Sequence, residues 1–332
     1  MGFRKYIYYI IMNVVIPKIS NKINKKDVLQ VLENEYSIIG PLWVSHQFEW
    51  ITGIYQPFKN HNKYLILIYL IKKTFDFYSL NFTKLTYDDF YALETIEIEK
   101  ISISEISKAL NIPKESTRRK ILELEISGII KKIKKKTIID KLSFKFIQPV
   151  KTLKKVSYFL SSFSNILKEE KILPIVITSQ EIEEIIKNNF SYIWKLYYEM
   201  QIPMLLSWKN IFKDLETFNI WAACMINQHL DGSKNINKMN KNDFLNETIF
   251  SKNMERKDGV NAMSISDMTG IPRATVIRKL KQLVKEKNLT INDKKLYSIT
   301  GIHLKKHLPL QKLTLQKLAA FSTIIYNFKL VN

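Results

Sequence analysis

Two short stretches of this chain follow one pattern. Residues 270–280 read GIPRATVIRKL and residues 111–121 read NIPKESTRRKI. In both, an Ile-Pro pair is followed by a basic residue, a hydroxyl residue two positions on, a basic pair and an aliphatic. Ile112 aligns with Ile271 and Ile121 with Leu280 without a gap. A pattern that returns in this way predicts one structural unit used twice.

The first copy opens with ISISEISKAL, in which Ile103, Ile106 and Leu110 fall on one helical face, and then turns at Asn111, Ile112 and Pro113. Pro113 suits the first turn of the next helix, where a missing N–H costs nothing. That helix turns Thr117, Ile121 and Leu124 inward until Gly128 ends it. IIKKIKKKTIIDKL then reads as a hairpin with Lys134, Lys135 and Lys136 at its tip. The second copy repeats the order: MSISDMT, a turn at Gly270-Ile271-Pro272, a helix with Val276, Leu280 and Leu283 inward, and LTINDKKLYSIT as strand, turn and strand with Lys294 and Lys295 at the tip. Outward on the second helix lie Arg273, Thr275, Ile277 and Arg278, matching Lys114, Ser116, Arg118 and Arg119 of the first.

Composition agrees with a helical, core-forming chain. Only 8 Gly and 9 Pro among 332 residues leave little material for many-turned β folds, and 46% hydrophobic residues argue against dominant disorder. The length suits two domains. The expected organisation is an N-terminal helical segment 1–34, a first unit 35–172 with its helix-turn-helix and hairpin at 101–142, and a second unit 173–332 with the same at 261–300. The duplication extends outward: Pro41 to Ile51 and Pro203 to Phe212 both precede aromatic, aliphatic helices. Each hairpin is also followed by a helical stretch, 151–171 and 310–330.

The formal net charge of +21 attracts a polyanion. Lys, Ile and Asn enrichment together also follows from base composition, so the placement of the charge decides. A basic turn residue is usually just solvated, but two basic tips, each behind a helix-turn-helix, point to a phosphate backbone.

These residues resemble a bacterial winged helix-turn-helix family, most closely the MarR-like one-domain regulators. The resemblance covers Met263 to Thr300 well and Ile101 to Leu142 more loosely. It implies a mainly α fold in which the second helix of each module enters the major groove and the hairpin, or wing, touches backbone. The first copy departs from the pattern: Asn111 replaces the turn glycine, Thr117 occupies a core slot usually aliphatic, and Glu115 brings a carboxylate to the DNA-facing side. Such regulators pair two one-module chains, whereas this chain carries both modules and reads as a monomeric pseudo-dimer or a homodimer of it.

The expected function is sequence-specific binding of double-stranded DNA as a transcriptional regulator. Two non-identical half-sites, roughly 34 Å apart on one DNA face, would be read by Lys114, Ser116, Arg118 and Arg119 and by Arg273, Thr275, Ile277 and Arg278, with the wing lysines on phosphates. The rivals are a plasmid or phage replication initiator, which also carries two winged helices, and a scaffold whose winged helices bind protein.

Other features have plainer readings. Cys224 sits in the apolar run FNIWAACMIN as a small core residue, and one cysteine excludes an internal disulfide. His303 and His307 lack a further ligand, so neither a metal nor another cofactor is expected. Glu181, Glu183 and Glu184 are first-turn carboxylates after Thr178, and the five tryptophans are core residues, with an effector pocket as the lesser reading. No phosphate loop, dinucleotide fingerprint or nucleophile elbow is present, so no enzyme is expected. The apolar stretches Tyr6 to Ile16 and Tyr64 to Ile71 are too short to span a bilayer, and the expected location is the cytoplasm, at the nucleoid.

Overall fold

Side-chain caps set where many of the helices begin. Asn24 accepts the Asp27 amide, Asn60 the Lys63 amide, Ser102 the Glu105 amide and Asn261 the Ser264 amide. Thr86 and Thr178 form reciprocal boxes with Asp89 and Glu181. The computed structural model describes residues 22–98, 101–133, 136–233, 238–245, 259–300, 302 and 304–331. The helices of the first part are α1 (Lys25–Asn34), α2 (Tyr36–Tyr55), α3 (His61–Leu80), α4 (Tyr87–Ala92), α5 (Ile103–Leu110), α6 (Lys114–Ile126), α7 (Phe144–Ile147) and α8 (Val150–Glu169). Those of the second are α9 (Ser179–Asn188), α10 (Phe190–Phe212), α11 (Leu215–Ser233), α12 (Lys241–Leu245), α13 (Ala262–Thr269), α14 (Arg273–Lys285) and α15 (Leu304–Val331). The protein is mainly helical, as expected, with two small antiparallel sheets.

The run Tyr64 to Ile71 lies in α3, where every residue from Leu65 to Ile71 is buried. A helix apolar all round must be covered on all sides. α10 covers one side of α3, and α5, α6 and a strand cover another. α11 has the same character, with Ile220 to Cys224 buried, and it carries α13, α14 and the second hairpin. Each helix-turn-helix thus rests on one central helix.

Packing repeatedly crosses residue 172. α2 lies against α11 and α3 against α10; α1 lies against α15 and α9 against α8. Within each part, α2 also touches α8 and α10 touches α15. One continuous core results, filled by Phe75, Phe90, Phe159, Phe163, Phe190, Trp194 and Tyr197. Trp43, Trp50, Trp194 and Trp221 are buried, and Trp208 packs half-buried against Trp221. Cys224 is fully buried, and burial pushes its thiol up to about 12, which leaves it inert. Glu181, held by Lys329 and by the Thr178 amide, is drawn down to about 2, as suits a capping carboxylate.

The hairpins carry one correction and one addition. β2 (Ile130–Ile133) pairs with β3 (Lys136–Asp140), so Lys136, expected at the tip, instead opens a strand opposite Ile133. A third strand, β1 (Thr95–Ile98), goes beyond the expected hairpin and pairs with β3, Ile96 facing Ile139. TIEI alternates buried and exposed residues, but four residues carry too little pattern to be read as a strand without the distant partner. In the second part β4 (Leu289–Ile291) pairs with β5 (Tyr297–Ile299), and Val260 exchanges backbone hydrogen bonds of 3.0 and 2.9 Å with Tyr297, beside β5 as β1 lies beside β3. The stretch Tyr6 to Ile16, Lys134, Lys135 and His303 lie outside the described residues. Among the described residues no helix is long and apolar enough to cross a membrane.

Candidate nucleic-acid interface

The turn between α5 and α6 requires a left-handed residue, and Asn111 takes that conformation at φ +47°. Gly270 does the same between α13 and α14 at φ +67°. The Ser107 hydroxyl donates to the Ile112 carbonyl at 2.7 Å, and Ser266 does so to Ile271 at 2.8 Å. Pro113 and Pro272 sit immediately before α6 and α14, at the cap position rather than inside the first turn. Both following helices end in the same pair of backbone hydrogen bonds. Ile129 and Gly128 donate to Leu124 and Glu125, and Asn288 and Lys287 to Leu283 and Val284.

Each turn is braced from across residue 172. Lys209 of α10 donates to the Leu110 and Asn111 carbonyls at 3.2 and 2.7 Å, and Asn111 donates to Asn210 at 2.8 Å. Gln56, just past α2, donates to the Thr269 carbonyl at 3.2 Å. These donors satisfy carbonyls that a helix end leaves without an internal partner. Burial lowers the Lys209 ammonium below its ordinary range. A methyl on Gly270 would strain the backbone and meet the Gln56 amide. Gly270→Ala should therefore lower stability by about 1–2 kcal/mol in urea unfolding, and an unchanged midpoint would remove the brace.

α14 buries Val276, Leu280 and Leu283, as the spacing predicts. Arg273, Ala274, Arg278, Lys281 and Lys285 are exposed or partly so at the helix surface, with Thr275 and Ile277 half-buried beside them. The helix holds five basic residues and no acid. Lys279 points inward and pairs with Asp214, the residue that caps α11 through the Thr217 amide. The outward basic set is therefore Arg273, Arg278, Lys281 and Lys285, and none of them has an ion-pair partner among the described residues. Lys281 and Lys285 continue the stripe begun by Ala274 and Arg278 at helical spacing, a signal that the sequence holds beyond the eight expected recognition residues.

α6 presents the same frame with other chemistry. Lys114, Glu115, Arg118 and Arg119 are exposed and Ser116 is half-buried. Glu123 draws Lys63 at 2.7 Å, Lys120 at 3.1 Å and Arg119 at 3.8 Å, so part of the positive charge is matched. Lys63 is the largest influence that lowers the Glu123 carboxyl. Leu122 and Ile126 stand exposed at 52% and 79%, a less polar surface than α14 offers. Thr117 is fully buried, its hydroxyl within reach of the Ile112 and Pro113 carbonyls, which accounts for a polar residue in a core slot.

Comparison with protein families, curated proteins and solved structures finds no match. The chemistry of these two surfaces therefore rests on the residues themselves.

The second tip forms a turn in which the Lys295 amide donates to the Asn292 carbonyl at 2.9 Å, with Lys295 at φ +58° and both Lys294 and Lys295 exposed. If this tip lies on phosphates, Lys294→Ala with Lys295→Gly should weaken all duplex sequences alike and lower the salt slope by roughly 0.9 for each phosphate that the tip no longer neutralises. Glycine suits the turn, so folding is retained. An unchanged slope in a salt titration would rule out phosphate contact by this tip.

Proposed function

We propose that the chain is a non-enzymatic, sequence-specific binder of double-stranded DNA, a cytoplasmic and nucleoid-associated transcriptional regulator built from two MarR-like winged helix-turn-helix modules. The observation that carries this reading is α14: a helix projecting Arg273, Arg278, Lys281 and Lys285, without an ion-pair partner among the described residues, around the small Ala274, with no acid along its length. Arginine bonds guanine O6 and N7 in bidentate fashion, and a small residue near the helix start permits close approach to the groove. The start of α14 also presents free amides to a phosphate.

Two further observations support a duplicated, pseudo-twofold arrangement. Ser102 and Asn261, Ser107 and Ser266, and Asn111 and Gly270 do the same local work at equal spacing. The helix packing also comes in exchanged pairs, α2 on α11 with α3 on α10, and α1 on α15 with α9 on α8. Because α6 carries Glu115 and matched charge, its half-site differs from that of α14. The monomer would act as its own dimer.

Selection from random-sequence duplex, with the wild-type chain and with Arg273→Ala, Arg278→Ala in parallel, tests the reading. An enriched motif that the variant loses supports it; tandem repeats of one motif would favour a replication initiator. No retention of any duplex would overturn it in favour of a protein-binding scaffold.

A further inference from the structure

Two loops lie between α6 and α14, and they match residue for residue. Residues 56–60 join α2 to α3, and residues 213–214 join α10 to α11. In the first, Lys59 takes φ +47° and Asn60 caps α3 through the Lys63 amide; in the second, Lys213 takes φ +70° and Asp214 caps α11 through the Thr217 amide. Gln56 and Asn210, each three residues before its lysine, bond to the helix-turn-helix turn of the opposite part. Each loop also reaches the other module. Lys63, just past the first, pairs with Glu123 of α6; in the second, Lys213 pairs with Glu286 at the end of α14 and Asp214 with Lys279. Thr52 of α2 donates to Asn219 of α11 at 3.1 Å, which holds the two loops side by side. Burial raises the Glu216 carboxyl and Asp214 adds to it, while Lys279 and Arg278 of α14 and Lys120 of α6 act the other way. Both helices therefore lie within electrostatic reach of this one residue beside the loops.

We propose that Lys59 and Lys213 form a phosphate-binding strip between α6 and α14 that holds the duplex backbone between the two half-sites. The inference rests on the DNA reading above and names a contact which that reading leaves open. When a duplex turns two major grooves toward α6 and α14, the intervening minor groove, with a phosphate strand on either edge, faces whatever lies between those helices. Two exposed lysines, one from each part of the chain, offer a point charge to each edge. Their neighbours leave them available. Lys59 bonds the neutral Gln56 side chain and lies 5.7 Å from the centre of the Tyr55 ring. Lys213 pairs with Glu286 at the surface, where such a pair is weak and a phosphate can compete for the lysine. Phosphate contacts carry no base information, so the strip positions the duplex without choosing its sequence.

The test uses the full chain and the duplex enriched by selection, or the random-sequence duplex where none is enriched. Lys59→Gly with Lys213→Gly removes both charges at positions whose backbone suits glycine. The salt slope is expected to fall by about 1.8, roughly 0.9 for each phosphate, so the advantage of the wild type over this variant shrinks about twelvefold between about 50 and 200 mM salt. Any enriched motif should stay the same, and Lys59→Arg with Lys213→Arg should restore the slope. If the glycine pair does not fold, Lys59→Gln with Lys213→Gln takes its place. Lys171→Gly is the control for general charge: Lys171 is exposed at φ +59° just past α8, outside both loops, and its loss should leave the slope in place. An unchanged slope in a chain that still retains duplex would overturn the strip and leave the DNA reading standing. A fall that Lys171→Gly reproduces, or that arginine does not restore, would do the same. A wild-type chain that retains no duplex would remove the strip and the DNA reading together.

Discussion

Arg273→Ala combined with Arg278→Ala is expected to weaken binding to the selected duplex by about 2–6 kcal/mol, each arginine contributing about 1–3 kcal/mol. The two side chains are exposed on one helix, pair with no carboxylate among the described residues, and are free to lie along base edges. Lys279 provides the internal contrast. It belongs to the same basic pair in the sequence, yet it is 7% exposed and bonded to Asp214. Lys279→Met should therefore act on folding first, whereas the arginine pair should leave the unfolding midpoint in place and change only affinity and motif. Competition binding at fixed salt, with unfolding curves alongside, separates the two. An arginine variant that keeps wild-type affinity and footprint would overturn the proposed role of α14.

Acid is expected to destabilise the fold well before its carboxylates titrate. Burial pushes the His46 imidazole down to about 3, with Lys155 adding to the effect, and pushes His61 down to about 4 despite the Ile51 carbonyl and Asp214, which act the other way. His46 Nε2 lies 3.1 Å from the Tyr197 hydroxyl, which accepts from Gln201 at 2.9 Å, so the buried ring has neutral polar company only. In the unfolded chain both rings titrate near their ordinary value of about 6.5. Below that pH the unfolded state gains protons that the folded state refuses, so stability is fully present above about 6.5 and falls as the pH drops toward 4 and then 3. At pH 5 each histidine accounts for about 2 kcal/mol, about 4 kcal/mol together. Urea unfolding at pH 7 and pH 5 measures this, and His61→Gln should flatten about half of the slope. A midpoint that does not move between these pH values would show that both rings reach solvent.

What could be read from the sequence was what neighbours in the chain decide. The Asn-Ile-Pro and Gly-Ile-Pro turns, the inward sets Thr117, Ile121, Leu124 and Val276, Leu280, Leu283, and the outward Arg273 and Arg278 all follow from a 3.6-residue period and one left-handed residue. The candidate surface of α14 was legible for the same reason, because a helix that buries one stripe must expose the opposite one. The helix start after Thr178, with Glu181 as its first-turn carboxylate, was legible as well, whereas Glu183 and Glu184, read with it, lie past that turn.

The rest required contacts between distant residues. β1 is a strand only because β3, about forty residues on, supplies its ladder, and nothing local in TIEI demands that. Lys209 looks like a surface lysine in SWKNIF, yet it is buried against the Asn111 turn nearly a hundred residues earlier. Lys279 and Arg278 are adjacent and chemically alike, and only the position of Asp214 assigns one to the core and the other to the surface. The same holds for Gln47 of α2 and Gln311 of α15, which come together around one small cavity between α2, α10, α11 and α15. The sequence by itself determined the helices on either side of the Asn111 and Gly270 turns and their outward faces, because those depend on backbone period and caps. The tertiary structure alone decided how the two parts interleave, which lysines are buried and where the cavity lies, because these depend on which apolar stripe covers which across hundreds of residues.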